Sequence, residues 1–285
     1  MLKAFRNSIL AAPAIGAALL MSIAPVASAD LGTPYAPQPA AAISPWTFTF
    51  TPYGWVPWLS GNMAIKGRSF DVQVDPIQML DHLNWSTLPA WMSYAEARNG
   101  PISLFNDIVY ANISGSKDFA KEIPGGLGVS VDYLQATVEF GGTYQVWSGR
   151  NPALAGSAAL DLLAGGRYWH QEADVSASLI SLNASRSGSV DWVDPFVGAR
   201  LRQQIAPGES LVLRADVGGF GVGSDATWQV LATYNWQMCA LDGHLIDGYL
   251  GYRALSVDYS QGSGNTQYKF DVLMQGPVMG ATLHF

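Results

Sequence analysis

Four histidines, His82, His170, His244 and His284, are the side chains in this sequence suited to proton transfer near neutral pH. His170, followed by Glu172 and Asp174 in the run WHQEAD at the outer edge of its segment, is the one candidate cluster. An acid beside a histidine is part of a hydrolytic site, but a nucleophile must sit within reach of the ring, and WHQEAD matches no nucleophile motif. One histidine with two acids is also a weak metal site, so neither a metal nor a cofactor is expected. Gly218, Gly219, Gly221 and Gly223 lack the strand-to-helix context and the Lys of a phosphate loop, and fit turns and bulges better. Cys239 is the single cysteine, so no intramolecular disulfide exists.

A larger set of charged residues shares one parity. Glu96, Asp107, Glu139, Asp161, Asp194, Asp216 and Asp247 alternate with apolar positions, as do Arg98, Arg167, Arg200, Arg202, Arg214 and Arg253. Seven acids against six arginines implies ion pairing, because a charge in a confined space is costly unless paired and hydrogen-bonded. The set would serve either as a pore lining that selects solutes by charge or as a cross-linked plug that stiffens its scaffold.

The elements that carry these charges have period two. In Asp191 to Arg202, Val193, Pro195, Val197, Ala199 and Leu201 alternate with Trp192, Asp194, Phe196, Gly198, Arg200 and Arg202, which is strand periodicity. Leu211, Leu213, Ala215 and Val217 oppose Arg214 and Asp216, and Trp228, Val230, Ala232, Tyr234 and Trp236 oppose Gln229, Thr233 and Asn235. An apolar face with aromatics at both ends, backed by a charged face, is the pattern of a strand with lipid outside and polar groups in a lumen. Similar segments cover Leu88 to Arg98, Ile102 to Ile113, Val129 to Trp147, Ala158 to His170, residues 244 to 257 and 267 to 285, and Trp46, Phe48 and Phe50 begin the first. Asn99-Gly100 between two alternating runs predicts a tight hairpin, and short turns belong to the periplasmic end. The stretches Ser114 to Gly128 and Gln171 to Val190 then predict long outer loops. Residues 60 to 74 predict a hairpin at the mouth or an extra spanning pair, giving about ten strands with twelve as the alternative. Asp75-Pro76 with Ile77, Leu80 and Leu83 predicts one short helix near 76 to 83, capped by Asp75, either in the lumen mouth or in an extracellular loop.

Lys3 and Arg6, an apolar stretch from Ile9 to Ala24 and Ala27-Ser28-Ala29 form a secretory signal peptide over residues 1 to 29. Residues 30 to 45 read as a Pro- and Ala-rich periplasmic linker, and 46 to 285 as the barrel. Removing Lys3 and Arg6 leaves 13 of the 15 Lys and Arg against 22 Asp and Glu, a formal charge of about −9. The acidic balance disfavours nucleic acid as a partner. Hydrophobic content of 49% with 13% charged residues suits a chain solvated by lipid on its outside.

The segments YGWVPWLSG (Tyr53 to Gly61), EARNGPISLFNDIVY (Glu96 to Tyr110), DWVDPFVGARLR (Asp191 to Arg202), RADVGGFGVGSDATWQ (Arg214 to Gln229) and GYRALSVDY (Gly251 to Tyr259) resemble a largely uncharacterised family of bacterial outer-membrane β-barrel proteins. The resemblance implies an all-β, transmembrane, antiparallel up-and-down barrel in a Gram-negative-type cell envelope. Its partners would be outer-membrane lipids, the barrel assembly machinery and a small solute. The C-terminal Phe285, at the end of an alternating strand, looks like the assembly signal of such barrels. The expected role is an envelope component or narrow, porin-like solute passage rather than an enzyme; the alternative is an outer-leaflet lipid-modifying enzyme.

Overall fold

The computed structural model describes residues 45–65, 68–119, 127–150, 156–179, 182–241 and 243–285; the expected signal peptide and all but the last residue of the expected linker lie outside these. The strands are β1 (Thr47–Trp55), β2 (Trp58–Ile65), β3 (Arg68–Val74), β4 (Ala90–Asn99), β5 (Ile102–Phe119), β6 (Leu127–Arg150), β7 (Ser157–Leu179), β8 (Leu182–Ala206), β9 (Glu209–Gly218), β10 (Ala226–Leu241), β11 (His244–Gln261) and β12 (Tyr268–His284), with helix α1 (Pro76–Asp81) between β3 and β4. Ten of them, β1 and β4 to β12, pair antiparallel in chain order, and β12 closes on β1 through Phe50↔Leu283 and Trp55↔Val278. A closed circuit leaves no sheet edge, which is what lets strands cross lipid.

The 58–74 hairpin is an extension of this wall. One half of β12 pairs with β1, and the other half, Tyr268 to Gln275, pairs with β2. β1 and β2 are therefore one strand interrupted at Val56-Pro57. The chain crowds there: a Cβ on Gly276 would lie 2.4 Å from the Val56 carbonyl oxygen. Of the two strand numbers expected, the barrel has ten, with β2 and β3 added at one end.

At the opposite end the connections are tight. Asn99 pairs with Ile102, so the turn residues are Gly100 and Pro101, one place beyond the expected Asn-Gly. Gly100, at φ 55°, supplies the positive φ that the first position of such a turn requires. β8 turns into β9 through Pro207-Gly208, and Phe285 donates its N–H to the Phe48 carbonyl at 2.9 Å.

At the hairpin end the two expected loops are mostly strand. Pairing continues to Phe119↔Leu127 and, between β7 and β8, to Leu179↔Leu182. These extensions are rich in Ser, Gly and Ala, so they carry no lipid-facing signature, but a backbone ladder needs none once it stands beyond the membrane.

The wall has inverted polarity. Val197 (51%), Leu213 (48%) and Leu250 (50%) are exposed on the outer face, while Glu139, Asp161, Arg167 and Asp194 are 0% exposed inside. Trp228 and Trp236 mark the outer face of β10 eight residues apart, roughly 20 Å of height at 3.4 Å per residue and a tilt near 40°, close to the apolar band of a membrane barrel.

Helix α1 starts as expected, with the Asp75 carboxylate accepting from the Gln78 N–H at 2.8 Å and Pro76 in the first turn. Its apolar edge does not enter the lumen: Ile77 is 72% and Leu80 46% exposed. The chain after it is tied to β5, through Ser114 N–H to the His82 carbonyl at 2.7 Å and Asn84 N–H to the Asn112 carbonyl at 3.0 Å. Those bonds hold the segment beside β5, and its apolar edge stays exposed, as do Trp85, Leu88 and Trp91.

Candidate functional site

The lumen has three layers, and the middle one is ionic. Glu139 on β6 accepts from Arg167 Nε (2.9 Å) on β7, Arg214 Nη2 (2.7 Å) on β9 and Arg253 Nη2 (3.0 Å) on β11. Asp216 binds Arg167 Nη2 (2.8 Å) and Arg214 Nε (3.0 Å), while Asp107 binds Arg253 Nη1 (3.0 Å). Three arginines thus meet three carboxylates. Neutral groups take up further valences: Tyr53 donates to Asp107 at 2.6 Å, Arg253 Nε donates to Gln229 at 2.7 Å, and Arg167 Nη1 donates to Thr227 at 3.0 Å. Desolvating six ions is affordable only with such satisfaction.

Aromatic rings floor and wall this layer. Arg214 lies 5.2 Å from the Phe105 ring centroid and 5.5 Å from that of Phe196, Arg167 lies 5.1 Å from Phe196, and Arg253 lies 4.9 Å from Trp55. In this dry setting a guanidinium over a ring gains on the order of 2 kcal/mol. The Phe196 ring fits because position 165 is glycine; a Cβ there would stand 2.9 Å from the ring and 2.2 Å from the Phe140 carbonyl.

Towards the hairpin end the interior turns apolar. Trp192 stacks on Tyr259 at 4.0 Å and on Trp169 at 5.5 Å, with Phe270 edge-on to Trp169. Leu255, Val257, Val272 and Met274 complete the cluster, each at most 2% exposed. Asp194 is anchored beneath it by four neutral donors: Trp169 Nε1 (2.9 Å), Trp192 Nε1 (3.2 Å), Ser224 N (2.6 Å) and Ser224 Oγ (2.7 Å). Ser224 belongs to the glycine-rich turn between β9 and β10, which folds inward over the lumen. That is what the glycines serve: Gly219 and Gly221 have φ of 85° and 72°, and a Cβ on Gly223 would meet the Asp194 carboxylate at 2.6 Å.

At the tight-turn end lies a cavity of about 380 Å³. Its rim includes Thr47, Asn235, Asp247 and His284, and its floor includes Glu96, Arg98, Arg200 and Arg214. Arg200 binds Glu96 (2.6 Å) and Asp161 (2.9 Å), Arg98 binds the same two acids (3.0 and 3.2 Å), and Arg202 binds Asp161 (3.1 Å). Asp247 stands apart from the arginines and pairs with His284 at 2.9 Å.

All thirteen charged residues singled out in the sequence face the lumen side of their strands, and all but Asp194 and Asp247 join the two ion-pair groups. Parity alone did not reveal the Tyr53 and Gln229 contacts, nor those of Tyr94, which donates to Glu96 at 2.6 Å and accepts from Arg200 at 3.1 Å; all depend on distances within the lumen. Nor did it reveal the apolar upper layer. The signal for the latter is present. After Arg253 the alternation inverts, with Leu255, Val257 and Tyr259 inside and Ser256, Asp258 and Ser260 outside.

His170 lies on the outer face. It touches Asp191 (2.7 Å) and, more distantly, Glu172 (4.0 Å), and Tyr168 also donates to Asp191 at 2.5 Å. Among the described residues its ring meets these acids and no Ser, Thr or Cys.

A closed circuit of strands, an apolar exterior and buried ion pairs define an integral outer-membrane β-barrel. No protein-family model matches the chain, and no curated protein matches it. Among solved structures it is similar to Ail, the attachment invasion locus protein of Yersinia pestis (TM-score 0.31, 11% identity, 84% of this chain and 98% of that one). It is also similar to the CymD monoaromatic hydrocarbon channel (0.29, 10%, 84% and 87%) and to a Pseudomonas aeruginosa FadL homologue (0.26, 7%, 84% and 89%). Scores this low carry no weight, and the assignment stands on the chain's own geometry.

Proposed function

We propose that this barrel is a sealed envelope component, with any solute passage requiring its ion-pair layer to rearrange. The observation that carries this is burial at successive levels of the lumen: Asp161 below the ionic layer, Glu139 and Arg167 within it and Asp194 above it are all 0% exposed, so no water-sized void touches them. The charged set then acts as a cross-linked plug rather than as a pore lining. In this proposal residues 1 to 29 are a cleaved signal peptide, 30 to 45 a periplasmic linker, and the tight-turn end faces the periplasm, since barrel turns there are short. Phe285 serves in assembly; in support, it closes the seam strand β12 against β1. Liposome swelling tests the seal. Proteoliposomes should stay as impermeable to arabinose as empty vesicles, and rapid swelling would refute it.

A further inference from the structure

The near-balance of seven acids and six arginines conceals a segregation along the barrel axis. The ionic middle layer is neutral, with Arg167, Arg214 and Arg253 against Asp107, Glu139 and Asp216. The excess acids are Asp194, tied to neutral donors below the aromatic cluster, and Asp247 at the rim with His284. That leaves Arg98, Arg200 and Arg202, which line the cavity floor, sharing two carboxylates, Glu96 beside them and Asp161 buried behind them.

At the floor the arginines outnumber the carboxylates by one, with Asp247 apart at the rim. Two of these three are also the most exposed of the six lumen arginines: Arg202 is 33% and Arg98 19% exposed, against 0% for Arg167 and 2% for Arg253. Neither is saturated by its neighbours, since the buried Arg98 Nη1 and Arg202 Nε have no hydrogen-bond partner. A partly exposed guanidinium lining a confined cavity, as Arg202 and Arg98 do, suits a planar carboxylate or a phosphate. Above this floor the wall offers hydroxyls and an amide, from Thr49, Thr51, Ser210, Thr282 and Asn235. The volume of about 380 Å³ falls within the usual range for a small-molecule site.

We propose that this cavity is a binding site, entered from the tight-turn end, for a small hydroxylated organic anion such as a sugar acid or sugar phosphate. Arg202 and Arg98 hold the anionic group and the ring of hydroxyls holds the rest. The site is a blind cup, which rests on the lumen being sealed above it; binding is read without conductance, so either idea can fail alone.

The test is calorimetric titration of the full barrel in nanodiscs with gluconate, glucose 6-phosphate and glucose. Gluconate or glucose 6-phosphate should bind, the stronger of the two separating carboxylate from phosphate recognition, and glucose should bind at least about tenfold more weakly, the loss of one charge-assisted contact. Arg202→Gln should weaken anion binding by a similar factor. Val212 lies directly across from Arg202 on the neighbouring strand and lines the same cavity, so Val212→Asp should place a competing carboxylate in the site and abolish binding with every arginine intact. Heat-modifiable migration on gels would verify folding of each variant, and if Arg202→Gln does not fold, Val212→Asp decides. Absence of anion binding, glucose binding as tight as gluconate, or a folded Val212→Asp that binds like the parent would overturn the proposal.

Discussion

Replacing Glu139 by Gln keeps the shape of the central carboxylate and removes its charge. Glu139 accepts from three guanidiniums at 2.7 to 3.0 Å and is 0% exposed. The substitution leaves Arg167, Arg214 and Arg253 facing only Asp107 and Asp216, one unpaired cation in a dry interior. Breaking a buried pair from one side costs about 3–5 kcal/mol. With a denaturant slope of about 3 kcal/mol/M this is a midpoint shift of roughly 1–1.7 M. Reversible unfolding in detergent micelles, followed by tryptophan fluorescence, would read it. Adding Arg214→Gln restores two arginines against two acids, so the double variant should be less destabilised than the sum of the single ones. A shift under about 1 kcal/mol for Glu139→Gln, or strict additivity in the double variant, would refute the view that charge matching holds the middle layer together.

Further consequences concern the other layers and faces. Trp192→Ala removes the ring between Trp169 and Tyr259 and should cost about 3–5 kcal/mol in the same unfolding assay. Gly165→Val places a side chain where even a Cβ meets the Phe140 carbonyl at 2.2 Å, so the variant should fail to reach the heat-modifiable form on gels. Leu213→Arg, on the exposed apolar face, should destabilise by about 2–4 kcal/mol if that face meets the bilayer midplane, and by almost nothing if water covers it. Epitope tags after Ser263 should be labelled on intact cells and tags after Pro207 only on permeabilised ones; the opposite pattern would reverse the proposed orientation.

Strand content and facing were legible because period two is enforced twice, by lipid outside and by ion pairing inside. Val193 to Leu201 and Leu211 to Val217 carry that signal in every second residue. It fades where only one constraint acts. Beyond the bilayer, the Ser- and Ala-rich continuations of β7 and β8 keep their backbone ladder without any apolar face, so they looked like loops. The hydrophobic interior of β11 and β12 was hidden by the same assumption, that inside means polar; the inversion after Arg253 marks where the wall leaves lipid and the rules of a water-soluble sheet take over. Helix α1 was legible in its cap, which is local, but not in its placement, which depends on β5 bonds formed by residues 82 to 84. The cup was the least legible feature: thirteen charges could be assigned to the lumen by parity, but their segregation into neutral and positive layers depends on strand stagger.

Planar-bilayer recording tests the sealed lumen most directly. The unmodified protein should be silent or show only small, unstable openings, and Arg200→Ala together with Arg214→Ala, which takes one guanidinium from each of Glu96, Asp161, Glu139 and Asp216, should increase them. Large and stable conductance from the unmodified barrel would contradict the account.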